Sequence, residues 1–526
     1  MDPYLLCGVF AVLCSLFFLQ RRLSANSRRP LPPGPPAYIP WIRHAFQIPT
    51  ERQWVKFNEW SRTYGKHHCL TVYIGDIMSV EALGQRYIIL GSLKACTDLF
   101  DRRSSNFSDR PRLPMLNELS GGNWSFAFRE YGSQWRDERR AFHKYMNITQ
   151  VAQYRPKQLK EARAFLQRLL ATPDRFYDLV RHTLGATIMN VVYAIETAEE
   201  NDEYINKAEE ALQTLSLAGN PTAYLVNTFP WLKYIPNWFP GAQFKRQAAR
   251  WRQIAYEFVT NPLNHVKEEM RRGTARPSMA LSLLEELADV PQEERAQRER
   301  IVANVAAIAY GGGADTTISA LNTFFLAMAM HPGVVKRARE ELDSAVGTQR
   351  LPTFEDEEHL PYITAICKEV MRWQTVTPLA VVHSSVQDDE YNGYFLPKGS
   401  VFFGNAWAIM HDPEVYPEPH SFKPERFLKA GRINPEVRDP TVAAFGFGRR
   451  ICPGRWFSAQ SLFITVASVL AAYDIRAPMD EHGRPIQLEA KMTTGVLSYP
   501  EPFQCIIVPR SKQAERLVRE GAIEVE

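Results

Sequence analysis

The stretch FGFGRRICPGR, residues 445 to 455, constrains this chain more than any other. Gly446, Gly448 and Gly454 surround one cysteine, Cys452. Glycine loses the most backbone freedom on ordering, so such a cluster belongs where the chain turns tightly or approaches something closely. A nucleophilic cysteine needs a base, usually histidine, and the near neighbours here are arginines. A buried structural thiol has no use for the flanking glycines. A metal ligand does, because glycines let backbone N–H groups turn toward a sulfur and tune it. Pro453 suits the first turn of the apolar segment that follows, residues 456 to 473, which sets the sulfur near a helix N-terminus and favours its anion. A lone thiolate without Cys or His companions points to haem rather than zinc or an iron–sulfur cluster.

The rest of the chain bounds the setting. Its 526 residues are 45% hydrophobic and 23% charged, the balance of a globular protein. A net charge of +4 with no basic run beyond the N-terminus argues against nucleic acid. Seven scattered cysteines without a CxxC pair argue against a disulfide framework and a zinc site. Residues 4 to 19 are uncharged and almost wholly apolar. As a helix they reach roughly 24 Å, a little short of a ~30 Å bilayer core. A cleaved signal peptide has an apolar region of this length too. Leading residues that carry no positive charge and the missing cleavage site favour a retained single-span anchor over residues 1–22. Arg21, Arg22, Arg28 and Arg29 after it place the bulk of the chain in the cytosol. A basic and proline-rich hinge, residues 23–49, follows, its PLPPGPP run reading as a stiff spacer. Residues 50–510 hold no linker or repeat and read as one large domain, and residues 511–526 as a charged, frayed tail. The sequons at Asn106, Asn123 and Asn147 read as chance on a cytosolic domain.

The texture is mainly α with small β-sheets. Helices are expected at 155–170, 297–330, 333–346, 360–374 and 456–472. Strands cluster at 70–90, 380–404 and 493–509, with turns at Asn392-Gly393 and Pro397-Lys398-Gly399. The aromatic, proline-rich segment 229–246 reads first as buried packing and second as a membrane-dipping loop. In AYGGGADTTISA, residues 309–320, three consecutive glycines interrupt an apolar helix at about 1 kcal/mol each relative to alanine. The block is either a glycine-kinked core helix with a capping Asp-Thr pair, or a kink opening a groove beside an acid–alcohol pair that delivers protons.

The pattern Phe445-x-x-Gly448-x-Arg450-x-Cys452-x-Gly454 resembles the haem-binding signature of the cytochrome P450 monooxygenases. Residues 312–317 resemble that family's Gly-Gly-x-Asp-Thr-Thr oxygen-activation motif. The resemblance covers roughly residues 50 to 510. It implies haem b with Cys452 as axial ligand, Phe445, Gly448 and Gly454 beside the porphyrin, and catalytic roles for Asp315 (proton relay) and Thr316 (a hydroxyl beside the reacting oxygen). WRDERR, residues 135–140, is either a solvated basic face or, by resemblance, the source of propionate donors Trp135 and Arg139, joined by Arg450 and His383. At His383 the chain departs from the family's Pro-His-Arg, reading Val382-His383-Ser384. Glu369-x-x-Arg372 with Arg426 resembles the family's buried structural triad.

The likeness is closest to microsomal fungal members of mushroom secondary metabolism, carried by PRLPMLNEL (111–119), AAFGFGRRICPGR (443–455) and MTTGVLSYPEPFQC (492–505). It implies an endoplasmic-reticulum membrane protein, monomeric, fed by an NADPH–cytochrome P450 reductase with cytochrome b5 as a second donor. Arg136, Arg140, Lys144, Arg449 and Arg455 offer that reductase a basic face. The implied reaction uses O2 to oxidise a lipophilic substrate, a sesquiterpene, diterpene or triterpene first, with a polyketide, indole alkaloid or xenobiotic aromatic as alternatives. An apolar pocket is expected from Leu113, Met115, Leu116, Phe126, Ala309, Val376, Leu379, Val381 and Val496. A haem-thiolate isomerase or dehydratase and a non-enzymatic haem sensor are the rival classes; neither needs Asp315 and Thr316.

Overall fold

The structure is a computed structural model and describes residues 29–39, 42–65 and 76–521. The expected anchor, residues 1–22, lies outside the described residues. Among the described residues no single helix is long and apolar enough to cross a membrane.

The longer helices are α1 (Gln53–Tyr64), α2 (Ser133–Met146), α3 (Arg155–Ala171), α4 (Phe176–Tyr193), α5 (Glu203–Ala218), α6 (Gln243–Arg272), α7 (Gln292–Met330), α8 (Pro332–Ala345), α9 (Pro361–Trp373), α10 (Arg455–Ala472) and α11 (Lys512–Glu520). Their ends follow local chemistry. Asp202 caps α5 through the Ile205 amide, and α6 stops where Gly273 turns left-handed. Pro332 and Pro361 open α8 and α9, where a missing N–H costs nothing. The first turns of α7 are charged and the rest is apolar nearly all round, which is the pattern of a helix threaded through a core.

That helix joins two bodies of packed side chains. Through Ala314 it packs with Phe126, Phe142, Ile188 and Phe258. From Ile318 onward it packs with Phe165, Ile366 and Val466. Asp315, Thr316 and Thr317 fall on the seam, where polar groups displace least apolar packing.

A four-stranded sheet flanks the bodies: β1 (Ile77–Ala82), β2 (Gln85–Leu90), β6 (Val401–Gly404) and β3 (His383–Ser384), in that order. The β2–β6 pair is parallel and the other two are antiparallel. A separate hairpin pairs β4 (Asp389–Tyr391) with β5 (Tyr394–Leu396) through Asn392 and Gly393, both at positive φ as such a turn requires.

Two expectations are corrected and two are sharpened. The segment after residue 510 is not a frayed tail: Lys512–Glu520 is helix α11, capped by Ser511, with Ala514 and Val518 buried. The PLPPGPP run, expected as a stiff spacer, is bonded to β1. The Ser79 amide and hydroxyl donate to the Pro33 and Pro32 carbonyls at 2.8 and 2.7 Å, and a Cβ at Gly34 would lie 2.0 Å from the Ser79 carbonyl oxygen. The 229–246 segment is not buried, since Trp231, Tyr234, Trp238 and Phe239 are all exposed. Finally, α7 runs unbroken through its glycines as one helix from Gln292 to Met330.

Glu369, Arg372 and Arg426 do meet. Arg372 donates twice to the Glu369 carboxylate, at 2.7 and 2.8 Å, and neither side chain is exposed. Arg426 donates at 3.2 Å, and the Lys423 amide adds a bond at 2.7 Å. Arg372 also donates to the Met410, Pro419 and Ser421 carbonyls, which ties α9 to the 405–427 region. Removing one member strands the others' charge. Glu369→Ala is expected to destabilise the fold by about 3–5 kcal/mol, read as a lowered urea unfolding midpoint.

Candidate functional site

The site begins with the loop between Phe445 and α10. The Cys452 amide donates to the Phe445 carbonyl at 2.8 Å, closing the loop on itself. Gly446 (φ +77°) and Gly448 (φ +55°) make the turn. A Cβ on Gly448 would lie 1.9 Å from the Phe100 carbonyl oxygen, so the loop can seat against the preceding chain only as glycine. The Gly454 and Arg455 amides, at the start of α10, donate to the Cys452 sulfur. Burial pushes the thiol up; these amides and the charges of Arg139 and Arg455 pull it down. A helix N-terminus aimed at a sulfur is suited to an anion that something in the cavity compensates.

Cys452 lines a cavity of about 300 Å³. Opposite it stand Gly312, Gly313, Asp315 and Thr316 of α7. The glycines divide their duties. A Cβ on Gly311 would come within 2.8 Å of Leu212 on α5, and one on Gly313 within 3.1 Å of Ile188 on α4, whereas Gly312 faces open space. Two glycines therefore bring helices close and the third leaves room in the cavity. The Thr316 hydroxyl donates to the Gly312 carbonyl at 2.8 Å. Asp315 Oδ1 accepts from the Tyr499 hydroxyl at 2.6 Å, and burial holds this carboxyl above its usual range.

The rim beside Cys452 carries three guanidiniums, Arg110, Arg139 and Arg450. Arg450 donates to the Ser108, Phe126 and Arg129 carbonyls and stands 4.5 Å from the Trp135 ring centroid. Arg139 donates to the Ile451 carbonyl. Arg110 donates to Ala127, Val381 and Val382 carbonyls. Among the described residues none of the three forms an ion pair with a carboxylate. Desolvation lowers Arg450 to about 9 and Arg139 to about 10, and takes Arg110 well below its usual value, with Arg450 adding repulsion. Asp109 offsets part of this at Arg110 and Arg450 without pairing with either, and buried like charges so thinly compensated are costly. A flat apolar group bearing carboxylates, with a metal at its centre for the sulfur, fits this arrangement.

His383 fits it less well. Its Nδ1 donates to the Phe107 carbonyl at 2.7 Å and its ring stacks on Phe100. In the neutral ring Nε2 is then an acceptor, which cannot serve a carboxylate. Burial and the nearby Arg110 oppose a second proton. Arg110, whose guanidinium grips the carbonyls just before His383, supplies the positive charge that Ser384 lacks. A lone arginine in an irregular segment carries no periodicity, so sequence reasoning passed over it.

Of the expected apolar lining, Phe126, Ala309, Val376, Val381 and Val496 face the cavity. Leu113, Met115 and Leu116 are buried in the adjoining core, and Leu379 packs behind the sheet. Leu212, Leu215 and Ser216 of α5 form a wall that sequence reasoning missed. On the sulfur side, Arg136, Arg140, Lys144 and Arg449 are exposed. Arg140 and Lys144 are engaged by Asp137 and Glu286, and Arg455 lies half-buried over Trp456.

A family model described as Cytochrome P450 matches residues 32–507. The chain is 43% identical over 494 residues to the cytochrome P450 monooxygenase COX1 of Coprinopsis cinerea, covering 93% of each. It is 39% identical over 496 residues to the tryptamine 4-monooxygenase of Psilocybe cyanescens, covering 93% of this chain and 96% of that one. The cytochrome P450 monooxygenase claR of Ampulloclitocybe clavipes is 40% identical over 495 residues, 94% of this chain and 89% of that protein.

Arg110 gives a direct check on the rim. Arg110→Ala is expected to speed haem transfer to an apo-globin acceptor by roughly 10- to 100-fold, the equivalent of the ~1.5–3 kcal/mol carried by a hydrogen bond to a charged group.

Proposed function

The chain belongs to the cytochrome P450 family of haem-thiolate monooxygenases, and from that membership we propose that it oxidises a neutral, lipophilic small molecule, a terpenoid of a fungal secondary-metabolite pathway. One observation carries the reading: the Cys452 sulfur faces an apolar cavity rimmed by three guanidiniums without carboxylate partners, with Asp315 and Thr316 across from it. Cys452 is the iron ligand in this reading. Arg110, Arg139 and Arg450, with Trp135, hold the propionates, and Phe445, Gly448 and Gly454 make room for the porphyrin. When bound, the haem supplies dioxygen activation and transfer of one oxygen atom to substrate.

This chain's own residues do the rest. The Gly454 and Arg455 amides donate to the sulfur, partly oppose the effect of its burial and fix its direction. Thr316, donating to Gly312, keeps lone pairs free for a proton-bearing partner in the cavity. Asp315 is the acid that replenishes it. Phe126, Phe128, Leu212, Ile308, Val376 and Val496 exclude water and bind hydrocarbon.

The relative from Psilocybe cyanescens is named for an amine substrate. A protonated amine needs a carboxylate, and Asp315 is the one acid among the described lining residues. Burial holds that acid toward its neutral form, and Tyr499 engages its Oδ1, which together favour a neutral substrate here.

Electrons come from a separate reductase, an NADPH-dependent flavoprotein docking on the exposed Arg136 and Arg449 side, with cytochrome b5 as a second donor. The exposed Trp231, Tyr234, Trp238 and Phe239 suit an endoplasmic-reticulum membrane surface, since Trp and Tyr favour the lipid interface. Residues 1–22 would anchor a monomer there, with the catalytic domain in the cytosol.

Reduced full-length protein under carbon monoxide is expected to show the long-wavelength Soret band of thiolate ligation, and Cys452→Ala to lack it. An unchanged band in the variant would refute the ligand assignment. With its reductase, the protein is expected to oxidise members of a terpenoid panel and leave tryptamine untouched; the reverse pattern would replace the substrate reading with the amine.

A further inference from the structure

The acid on α7 is held by a residue outside the motif that contains it. Tyr499 belongs to the segment 493–499, which folds back on itself: the Thr493 amide donates to the Tyr499 carbonyl, and the Tyr499 amide donates to the Thr493 hydroxyl. Two further bonds fix the segment in place. The Ser319 hydroxyl on α7 donates to the Ser498 carbonyl at 2.6 Å, and the Ser498 amide donates to the Val376 carbonyl at 2.9 Å. The tyrosine hydroxyl is thereby aimed at Asp315 Oδ1, 2.6 Å away. Among the described residues, no other hydrogen bond to this carboxyl is made.

The same segment forms part of the cavity wall, because Val496 and Leu497 line it. Val376, which accepts from Ser498, lines it too. A ligand pressing on Val496 or Leu497 therefore bears on a short, internally bonded loop whose last residue grips the acid. Asp315 sees three groups from three elements: Tyr499 from this loop, Arg181 from α4 and Glu209 from α5. Arg181 and Glu209 pair at 3.0 Å and both reach solvent, so the carboxyl stands between cavity and water.

We propose that Tyr499 is a positioning residue for the proton donor: it clamps Asp315 by Oδ1, leaves Oδ2 to carry the proton, and joins the donor mechanically to the substrate-contacting wall. The inference rests on the reading of Asp315 as proton donor and adds to it how the donor is aimed. Burial raises the carboxyl and the tyrosine bond partly opposes that rise. Losing the bond favours the protonated acid but leaves it free to rotate, so a proton is present and wrongly directed. A substrate that fits the wall badly has the same consequence through the loop.

The test compares Tyr499→Phe, Asp315→Asn and the double variant in the full-length holoenzyme. Without turnover, the infrared band of the protonated Asp315 carboxyl, assigned by its loss in Asp315→Asn, is titrated in ferric protein. In Tyr499→Phe its midpoint is expected at higher pH than in wild type, because a donor to the charged form is gone. With reductase and a substrate, product formed per NADPH is expected to fall about tenfold, less than the ~10²-fold that losing a general acid outright costs, the electrons appearing as hydrogen peroxide. In the Asp315→Asn background the Tyr499→Phe change is expected to have no further effect, the signature of a residue acting through the acid. An unmoved midpoint, or a full Tyr499 effect without Asp315, overturns the inference. If Asp315→Asn itself stays fully coupled, the proton-donor reading fails instead. Should Tyr499→Phe lose the carbon monoxide band, 3-fluorotyrosine at 499 is the second probe: a stronger donor must move the midpoint to lower pH, and an unmoved one overturns the inference.

Discussion

The structure turns on bringing one sulfur atom to a fixed point in an apolar wall while the chain around it stays saturated with hydrogen bonds. The Phe445 carbonyl closes the loop, two amides of α10 reach the sulfur, and Gly448 lies where any side chain would strike the Phe100 carbonyl. Each contact is local, yet each needs a distant partner held still. Phe100 belongs to the segment after β2, and α10 is packed against α3 and α7. The buried Glu369–Arg372 pair fixes the region between β6 and this loop. An error at any of these points is transmitted to the sulfur.

Charge explains the second layer. Three guanidiniums are drawn out of water around the cavity and anchored by backbone carbonyls, which satisfy their N–H groups without neutralising them. Carbonyl anchoring fixes direction and leaves the charge available to a ligand. A carboxylate in the same place would have saved the desolvation cost and forfeited the binding energy. Arg110 shows that the requirement is for charge at a place rather than for a residue at a position. With Ser384 where the family's Pro-His-Arg pattern has arginine, Arg110 brings a cation from a different segment to the Val381 and Val382 carbonyls.

Much of this was legible before any coordinates. The helices expected at 155–170, 360–374 and 456–472 match α3, α9 and α10 to within a residue. Helices α3 and α9 carry a proline in the first turn, whereas α10 is a long apolar run that starts at Arg455, with Pro453 just outside the helix rather than in its first turn. The residues at Cys452 and Asp315 announced themselves as polar or glycine-rich interruptions of apolar runs, while Glu369 and Arg372 stood out only through the family resemblance that joins them to Arg426. What could not be read were features fixed by tertiary placement. Helix α4 is buried on nearly every side and so shows no period. Leu212 and Leu215 look like any core leucines until α5 is laid across the cavity. The exposed Trp231 and Trp238 have the composition of a core segment, and only their position outside both packed bodies shows that they are not core. Tyr499 was visible as a residue, but its partner lies 184 positions away.

The glycines of α7 bear on how such a cavity can vary without losing its chemistry. Gly311 and Gly313 admit Leu212 and Ile188 to distances that a methyl group would crowd, so the width of the cavity depends on the approach of α5 and α4 to α7. None of these contacts touches the Cys452 loop or its arginines. Side chains on α5 and on the 493–499 segment can therefore change size and shape while the sulfur, the cations and Thr316 keep their places. The two sides are not independent at one point. Tyr499 carries the wall segment's position to Asp315, so a wall reshaped for a new ligand must still aim a hydroxyl at that carboxyl. Substrate shape is free to drift at Val496 and Leu497, and it is constrained two residues later.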